Sequence, residues 1–389
     1  MFLIAALAHA QDITNNKFGK GLINIIAKDS SYSMNFSARF QTLATGSWDF
    51  EENQTVDNPE SGILIRRARL KFDGFAYSTK LIYKIELGLS NNDLAGTTEF
   101  HGNSPQYILD AVLKWNFYRN FELWAGQTKL PGNRERVISS ANMETVDRSL
   151  LNSRFNIDRD MGIQLHHSGL IGNKVVVREA LAISQGEGRN ITEGNLGGYQ
   201  YTVRGEILPF GDFADYSGAD LAREPTPKLS IGASYDFNDN AVKTRSNMGS
   251  HMITDTGVFE TDIKTFFLDA MFKCRGWSFM AEFAKRSADS PIAKNSDGTA
   301  TGDVVNIGNA LNVQGGYLFK NNIQVTGRYT TIDLDDTISD LGKETQYTVG
   351  LSKYIVGHKL KIQTDVSLTD YETNANNLLT YRLQVDIHF

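Results

Sequence analysis

Leu379–Phe389 reads LTYRLQVDIHF, and its alternation decides the fold class. Leu379, Tyr381, Leu383, Val385, Ile387 and Phe389 share one face, while Arg382, Gln384, Asp386 and His388 share the other. Successive side chains of a strand point to opposite sides, so this segment is apolar along one whole face and polar along the other. A strand of about ten residues with that pattern fits lipid outside and water inside. An edge strand of a soluble sheet also alternates, but it seldom fills every apolar position.

The same period of two recurs up the chain. MNFSARFQT sets Met34, Phe36, Ala38 and Phe40 against Asn35, Ser37, Arg39 and Gln41. KLIYKIELGLS sets Leu81, Tyr83, Ile85, Leu87 and Leu89 against Lys80, Lys84, Glu86 and Ser90. YILDAVLKWN, KLSIGASYD, WSFMAEFAKR, LNVQGGYL, IQVTGRYT, QYTVGLSK and LKIQTDVSL follow suit. Counting such segments gives about sixteen strands, an even number as single-chain bacterial barrels have. VVVREALAIS, from Val175 to Ser184, does not alternate cleanly and is ambiguous. The fold expected is all-β, a transmembrane antiparallel barrel. An aromatic carboxy-terminal residue resembles the insertion signal of outer-membrane barrel proteins. A soluble β-propeller competes, but no blade motif repeats.

Bulk properties agree. The chain is 41% hydrophobic with a mean hydropathy of −0.32, and no run nears the roughly 18 apolar residues of a membrane helix. A barrel satisfies its backbone between strands, so it needs no such run. Seven prolines are few enough for a chain that donates ladder bonds nearly throughout. Aromatic residues, at 11%, suit interfacial girdles.

Connections alternate in length. NFYRN, KCRG, LFKNN and YIVGHK are short, whereas Asp49–Ser61, Asn91–Gln106, Lys129–Arg159, Asn238–Asp262, Arg286–Ala310 and Thr331–Glu344 are long. Short turns at one end and long loops at the other is the outer-membrane arrangement. Pro209–Pro227 breaks the scheme, being long where a short turn is due, and is expected to hold a short periplasmic helix. Residues 1–10 end in Ala8-His9-Ala10 before Gln11, a small-x-small cleavage pattern that marks an abbreviated signal peptide. Residues 11–389 are then one barrel domain. The single cysteine, Cys274, allows no intrachain disulfide.

The centre of the chain is more specific. Gly126–Leu165 contains Gly126, Gln127, Lys129 and Pro131, then Glu135, Ser139-Ser140, Asp147-Arg148-Ser149-Leu150 and Arg159-Asp160-Met161-Gly162. With RRARLKFDG at Arg66–Gly74, this block resembles the phosphate-selective porin family, the porins O and P. The resemblance implies a sixteen-stranded barrel in a Gram-negative outer membrane, commonly a homotrimer, whose third long loop folds into the lumen and narrows the pore.

The loop's own residues point the same way. Lys129–Arg159 carries Val137, Ile138, Met143, Val146, Leu150, Leu151 and Phe155, apolar anchors that a purely solvated loop has little use for. A selective pore needs fixed charges at a constriction. Candidates on the loop are Lys129, Arg134, Arg136, Arg148, Arg154 and Arg159, and candidates on the wall are Arg67, Arg69 and Lys71. Against anion selectivity stand Glu135, Glu144, Asp147, Asp158 and Asp160 over Lys129–Asp160, and a net charge of −6 for the chain. Arginine–carboxylate pairs pinning the loop would use the same residues. The inward acids Glu86, Asp110, Glu122, Glu206, Asp269, Glu282, Asp365 and Asp386 dilute the field further.

Other chemistries find little support. The seven histidines show no HExxH spacing, so neither metal nor cofactor has a motif. No Ser/His pair is marked for hydrolysis, and the basic runs are too short and interrupted for a nucleic-acid footprint. Two functions remain. One is a passive channel for small polar or anionic solutes, phosphate included, filtered by the Lys129–Arg159 loop. The other is a non-conducting barrel serving as scaffold or partner in an envelope complex, which requires nearly complete pairing of its inward charges.

Overall fold

The computed structural model describes residues 17–50, 56–91, 93–94, 105–192, 194–339, 342–373 and 376–389. The expected signal peptide at 1–10, and parts of the loops expected at 49–61 and 91–106, lie outside them. Sixteen antiparallel strands close into one barrel. They run Ser33–Phe50, Val56–Ala76, Ser78–Gly88, Ile108–Tyr118, Phe121–Lys129, Arg159–Ile171, Val175–Ser184, Gln200–Leu208, Lys228–Ala241, Thr261–Cys274, Trp277–Ala288, Gly308–Leu318, Ile323–Leu334, Lys343–Val356, Leu360–Tyr371 and Asn377–His388. The last strand closes on the first from His388 opposite Arg39 to Asn377 opposite Phe50. Closure leaves the barrel no free edge between first and last strands, as a lipid environment requires.

The closing strand bears the alternation out with its faces inverted relative to a soluble protein. Tyr381 and Leu383 are exposed, whereas Gln384 and Asp386 are 1% and 0% exposed. The outer face is therefore apolar and the lumen polar. Val175–Ser184, ambiguous by alternation, is a regular strand paired on both sides. The first hairpin is longer than expected. Its strands continue through most of Asp49–Ser61, which alternation had assigned to a loop.

The short-turn end is built as the sequence implies. Arg275 and Gly276 both take positive φ, 48° and 91°, as a type I′ hairpin turn demands. Beside this turn Trp277 packs on Tyr317 at 4.7 Å and on Phe279 at 6.0 Å, an aromatic cluster on the outer rim. A four-residue strand, Ile23–Ile26, pairs with the first barrel strand from Phe36 to Ser33. It takes over where the last barrel strand stops, since the Phe389 amide donates to the Ala38 carbonyl and the Leu22 amide to the Phe36 carbonyl.

Pro209–Pro227 holds no helix, contrary to expectation. It forms turns that rise into the lumen, where the Gly218 amide donates to the Asn142 carbonyl at 2.7 Å. The reason is chemical. Lys273 on the barrel wall donates its ammonium to the Ala214 and Ala219 carbonyls, at 2.7 and 3.1 Å, which holds the segment irregular and inward.

Candidate functional site

The Lys129–Arg159 loop folds into the lumen, and its apolar residues decide where it lies. Leu151, Phe155 and Ile157 pack with Leu130 against Phe267, Ala284, Ala310, Ile332 and Leu334 of the wall. Each large side chain buried in this way contributes roughly 1.5–3 kcal/mol. Ile138 and Met143 pack on Met271 and Met280, with Phe213 and Tyr216 of the inward turn beneath them. Local caps shape the loop. Ser149 accepts from the Asn152 amide at 3.2 Å and begins the helix Leu150–Phe155, while its hydroxyl donates to Glu135 at 2.5 Å.

Polar grips complete the seating. Glu144 accepts from the side-chain amides of Gln314 and Gln324, at 2.6 and 2.7 Å, and from the Ser278 hydroxyl. Lys361 donates to the Met143 carbonyl at 2.9 Å, and the Val146 amide to Asp365 at 3.0 Å. One half of the lumen, against the strands from Lys228 onward, is thereby filled. A cavity of about 870 Å³ remains, mostly against the strands from Val56 to Leu208, with Gln346 and Arg382 of later strands at its margin. Its lining runs from Asp93, Ser153 and Arg189 at the long-loop end to Asn120 and Ser168 at the short-turn end. An off-centre path along the barrel is the result.

The proposed filter residues divide on this geometry. Lys129, Arg136, Arg148 and Arg159 line the cavity, as do Arg67 and Arg69. Arg134 does not: its guanidinium is 0% exposed and pairs with Asp269 at 2.7 Å and with Glu206 and Asp215 at 3.0 Å each. Arg154 reaches away from the cavity to Glu344 at 2.8 Å on the far wall. Lys71 pairs with Asp73 at 2.9 Å and is likewise outside the lining. Arg134 and Arg154 pin separate chain segments together, whereas Lys71 is held within its own strand. Alternation shows which side of a strand a residue takes, but not whether the lumen at that level is filled.

Among the lining cations, most have carboxylate partners. Arg136 pairs with Asp158, Arg159 with Asp110 at 3.0 Å, and Arg69 with Asp93 at 2.5 Å and Glu86 at 3.3 Å. Lys129 donates only to carbonyls, those of Arg136, Val137 and Ile138, at 2.7 to 3.3 Å. Arg148 donates to the Glu135 and Ile138 carbonyls, at 2.8 Å each. Neither has a carboxylate within ion-pair distance among the described residues.

Some lining residues were not foreseen. Arg66 was excluded by alternation with Arg67 and Arg69. A β-bulge admits it, because Arg67 sits opposite Gln41 and Ile65 opposite Thr42, leaving Arg66 without a cross-strand partner. A bulge inserts one residue and re-aims a side chain. Arg66 thus reaches Asp147 of the loop at 2.7 Å, within the cavity lining. Arg178, Arg189, Arg204 and Arg382 also line it. Strand parity could place Arg204 and Arg382 inward, but not Arg178, whose strand does not alternate cleanly, nor Arg189, which lies in a loop.

The inward acids counted against an anion field are largely neutralised. Asp269 is shared by Arg134 and Arg204, Asp365 pairs with Arg382 at 2.7 Å, and Asp386 with Arg39 at 2.7 Å. Twelve arginines and lysines and eight aspartates and glutamates line the cavity. Three of those arginines, Arg178, Arg204 and Arg382, pair with Asp215, Asp269 and Asp365 just outside that lining, in a chain whose net charge is −6.

Comparison with known proteins follows the same lines. The family model for phosphate-selective porin O and P matches residues 40–387. No curated protein sequence matches the chain. Among solved structures, the outer membrane channel DcaP of Acinetobacter baumannii superposes with a TM-score of 0.54 at 14% identity, covering 94% of this chain and 99% of that one. An anion-selective porin from Comamonas acidovorans gives 0.55 at 10% identity, covering 92% and 100%. The trimer form of OmpT from Vibrio cholerae gives 0.52 at 12% identity, covering 92% and 100%. Fold and family are those of an outer-membrane channel for passive solute diffusion, and the chain belongs to the phosphate-selective porin O and P family.

Proposed function

We propose that this porin passes small polar solutes with a preference for anions, phosphate among them. The supporting observation is that Lys129 and Arg148 line the off-centre path and donate to backbone carbonyls, with no carboxylate in ion-pair distance among the described residues. Lys129 and Arg148, joined by Arg136 and Arg159, form the filter on the loop side. Arg66, Arg67 and Arg69 form the facing wall. At an effective dielectric near 20, a cation about 4 Å from an anion contributes roughly 4 kcal/mol. Several weak, partly paired sites favour flux over retention. The scaffold alternative asks for nearly complete pairing of inward charge, and Lys129 and Arg148 run against it.

The outer face, with Ile163, Leu181, Ile183 and Val349 more than half-exposed or close to it, is read as the lipid contact. A homotrimer is also proposed, by likeness to the trimer form of OmpT from Vibrio cholerae. Proteoliposome swelling tests the solute preference. Small anions should enter faster than neutral or cationic solutes of the same size. Equal rates would leave a general porin, and faster cation entry would overturn the preference.

A further inference from the structure

We infer that the loop carboxylate of Asp147 occupies a binding site for small carboxylate solutes, holding it closed from within the chain. Three guanidinium groups converge on it. Arg66 Nη2 lies 2.7 Å from Oδ1, Arg67 Nη2 lies 3.8 Å from the same oxygen, and Arg382 Nη1 lies 3.6 Å from Oδ2. All four residues line the cavity, and the Asp147 side chain retains 23% exposure.

The cradle has more donors than Asp147 uses. The Nε of Arg66 is buried without a hydrogen-bond partner among the described residues. Arg67 otherwise reaches only the Gln41 side-chain Oε1, at 2.5 Å, and Arg382 is held by Asp365 at 2.7 Å. Planar arginine forks suit a carboxylate, which accepts two parallel hydrogen bonds. The occupant present is itself such a group, an acetate-like side chain on a loop. The bulge at Arg66 builds the site, since a regular strand would turn that residue to the outer face.

The site rests on the anion-preferring reading, but its test is separate. Chloride current through single channels is recorded while acetate is added. In wild type, Asp147 competes from the same chain and acetate has little effect. In Asp147→Ala the vacated cradle should bind acetate, lowering the half-blocking concentration about tenfold. Asp147→Asn, which keeps the loop's shape while removing the charge, should show a smaller shift in the same direction. Adding Arg66→Gln to Asp147→Ala should restore wild-type behaviour.

A half-blocking concentration unchanged in both single variants overturns the inference, as does block that persists without Arg66. Chloride preference in wild type, measured in the same records, separates the two claims. An anion-preferring channel indifferent to Asp147 loses only this site, whereas a cation-preferring wild type loses the broader reading.

Discussion

Arg134 of the inward loop and Asp269 of the barrel wall, 135 residues apart in sequence, meet at 2.7 Å with both side chains 0% exposed. Glu206 and Asp215 lie at 3.0 Å from the same guanidinium, so one arginine joins the loop, the wall and the inward turn. Removing one member of a buried ion pair leaves its partners charged and unsolvated, at a cost of about 3–5 kcal/mol. Arg134→Ala should therefore lower resistance to denaturant by about that amount, measured by unfolding in detergent. It should also make single-channel current noisier, because the loop loses its anchor. A variant as stable and as quiet as wild type would show that the apolar packing alone holds the loop.

Arg148 and Arg154 offer a comparison on one loop. Arg148 faces the cavity without a carboxylate partner, while Arg154 is bound to Glu344 outside it. Arg148→Gln should reduce anion preference by about 1 kcal/mol, roughly fivefold in the permeability ratio. Arg154→Gln should leave that ratio unchanged. Reversal potentials of the two variants check both statements, and equal shifts would contradict the assignment of Arg154 to anchoring.

The inward turn narrows the path from the periplasmic end. Asp212 and Asp215 hold Arg178 at 2.6 and 3.0 Å, and Tyr216 lines the cavity beside it. Replacing residues 212–221 with a short turn should raise single-channel conductance while the barrel still folds, since the strands on either side pair without it. Unchanged conductance would place the narrowest point elsewhere, at the Lys129–Arg159 loop.

Salt provides a test without mutation. The screening length is about 10 Å at 0.1 M and 3 Å at 1 M. If lining charges set the preference, the anion-to-cation permeability ratio should fall toward unity as salt rises at a fixed gradient. A ratio insensitive to salt would point to selection by size.

The barrel was legible because lipid and water impose a period of two that survives in one sequence, as Tyr381 to Gln384 show. Loop insertion was legible from apolar anchors such as Leu151 and Phe155, which are buried against the wall. The site was only partly so. Arg134 and Arg148 are alike in sequence, and only tertiary packing makes one an anchor and leaves the other facing the path. Arg66 was hidden because a bulge breaks parity at one residue, and nothing local to RRARLKFDG marks it. The charge facing the path was hidden because a count over Lys129–Asp160, six basic against five acidic, does not show which of those side chains reach the cavity, and only Lys129, Arg136, Arg148, Arg159, Asp147 and Asp158 do. The inward turn was misread as a helix because the carbonyls that Lys273 holds belong to a tertiary contact, made from the strand that pairs with the one following the turn.

The most direct measurement is the zero-current potential of purified protein in a planar bilayer, across a potassium chloride gradient at low ionic strength. Discrete channels with a potential displaced toward the chloride equilibrium value are expected. A potential displaced toward the potassium value, from correctly folded protein, would contradict the proposed anion preference.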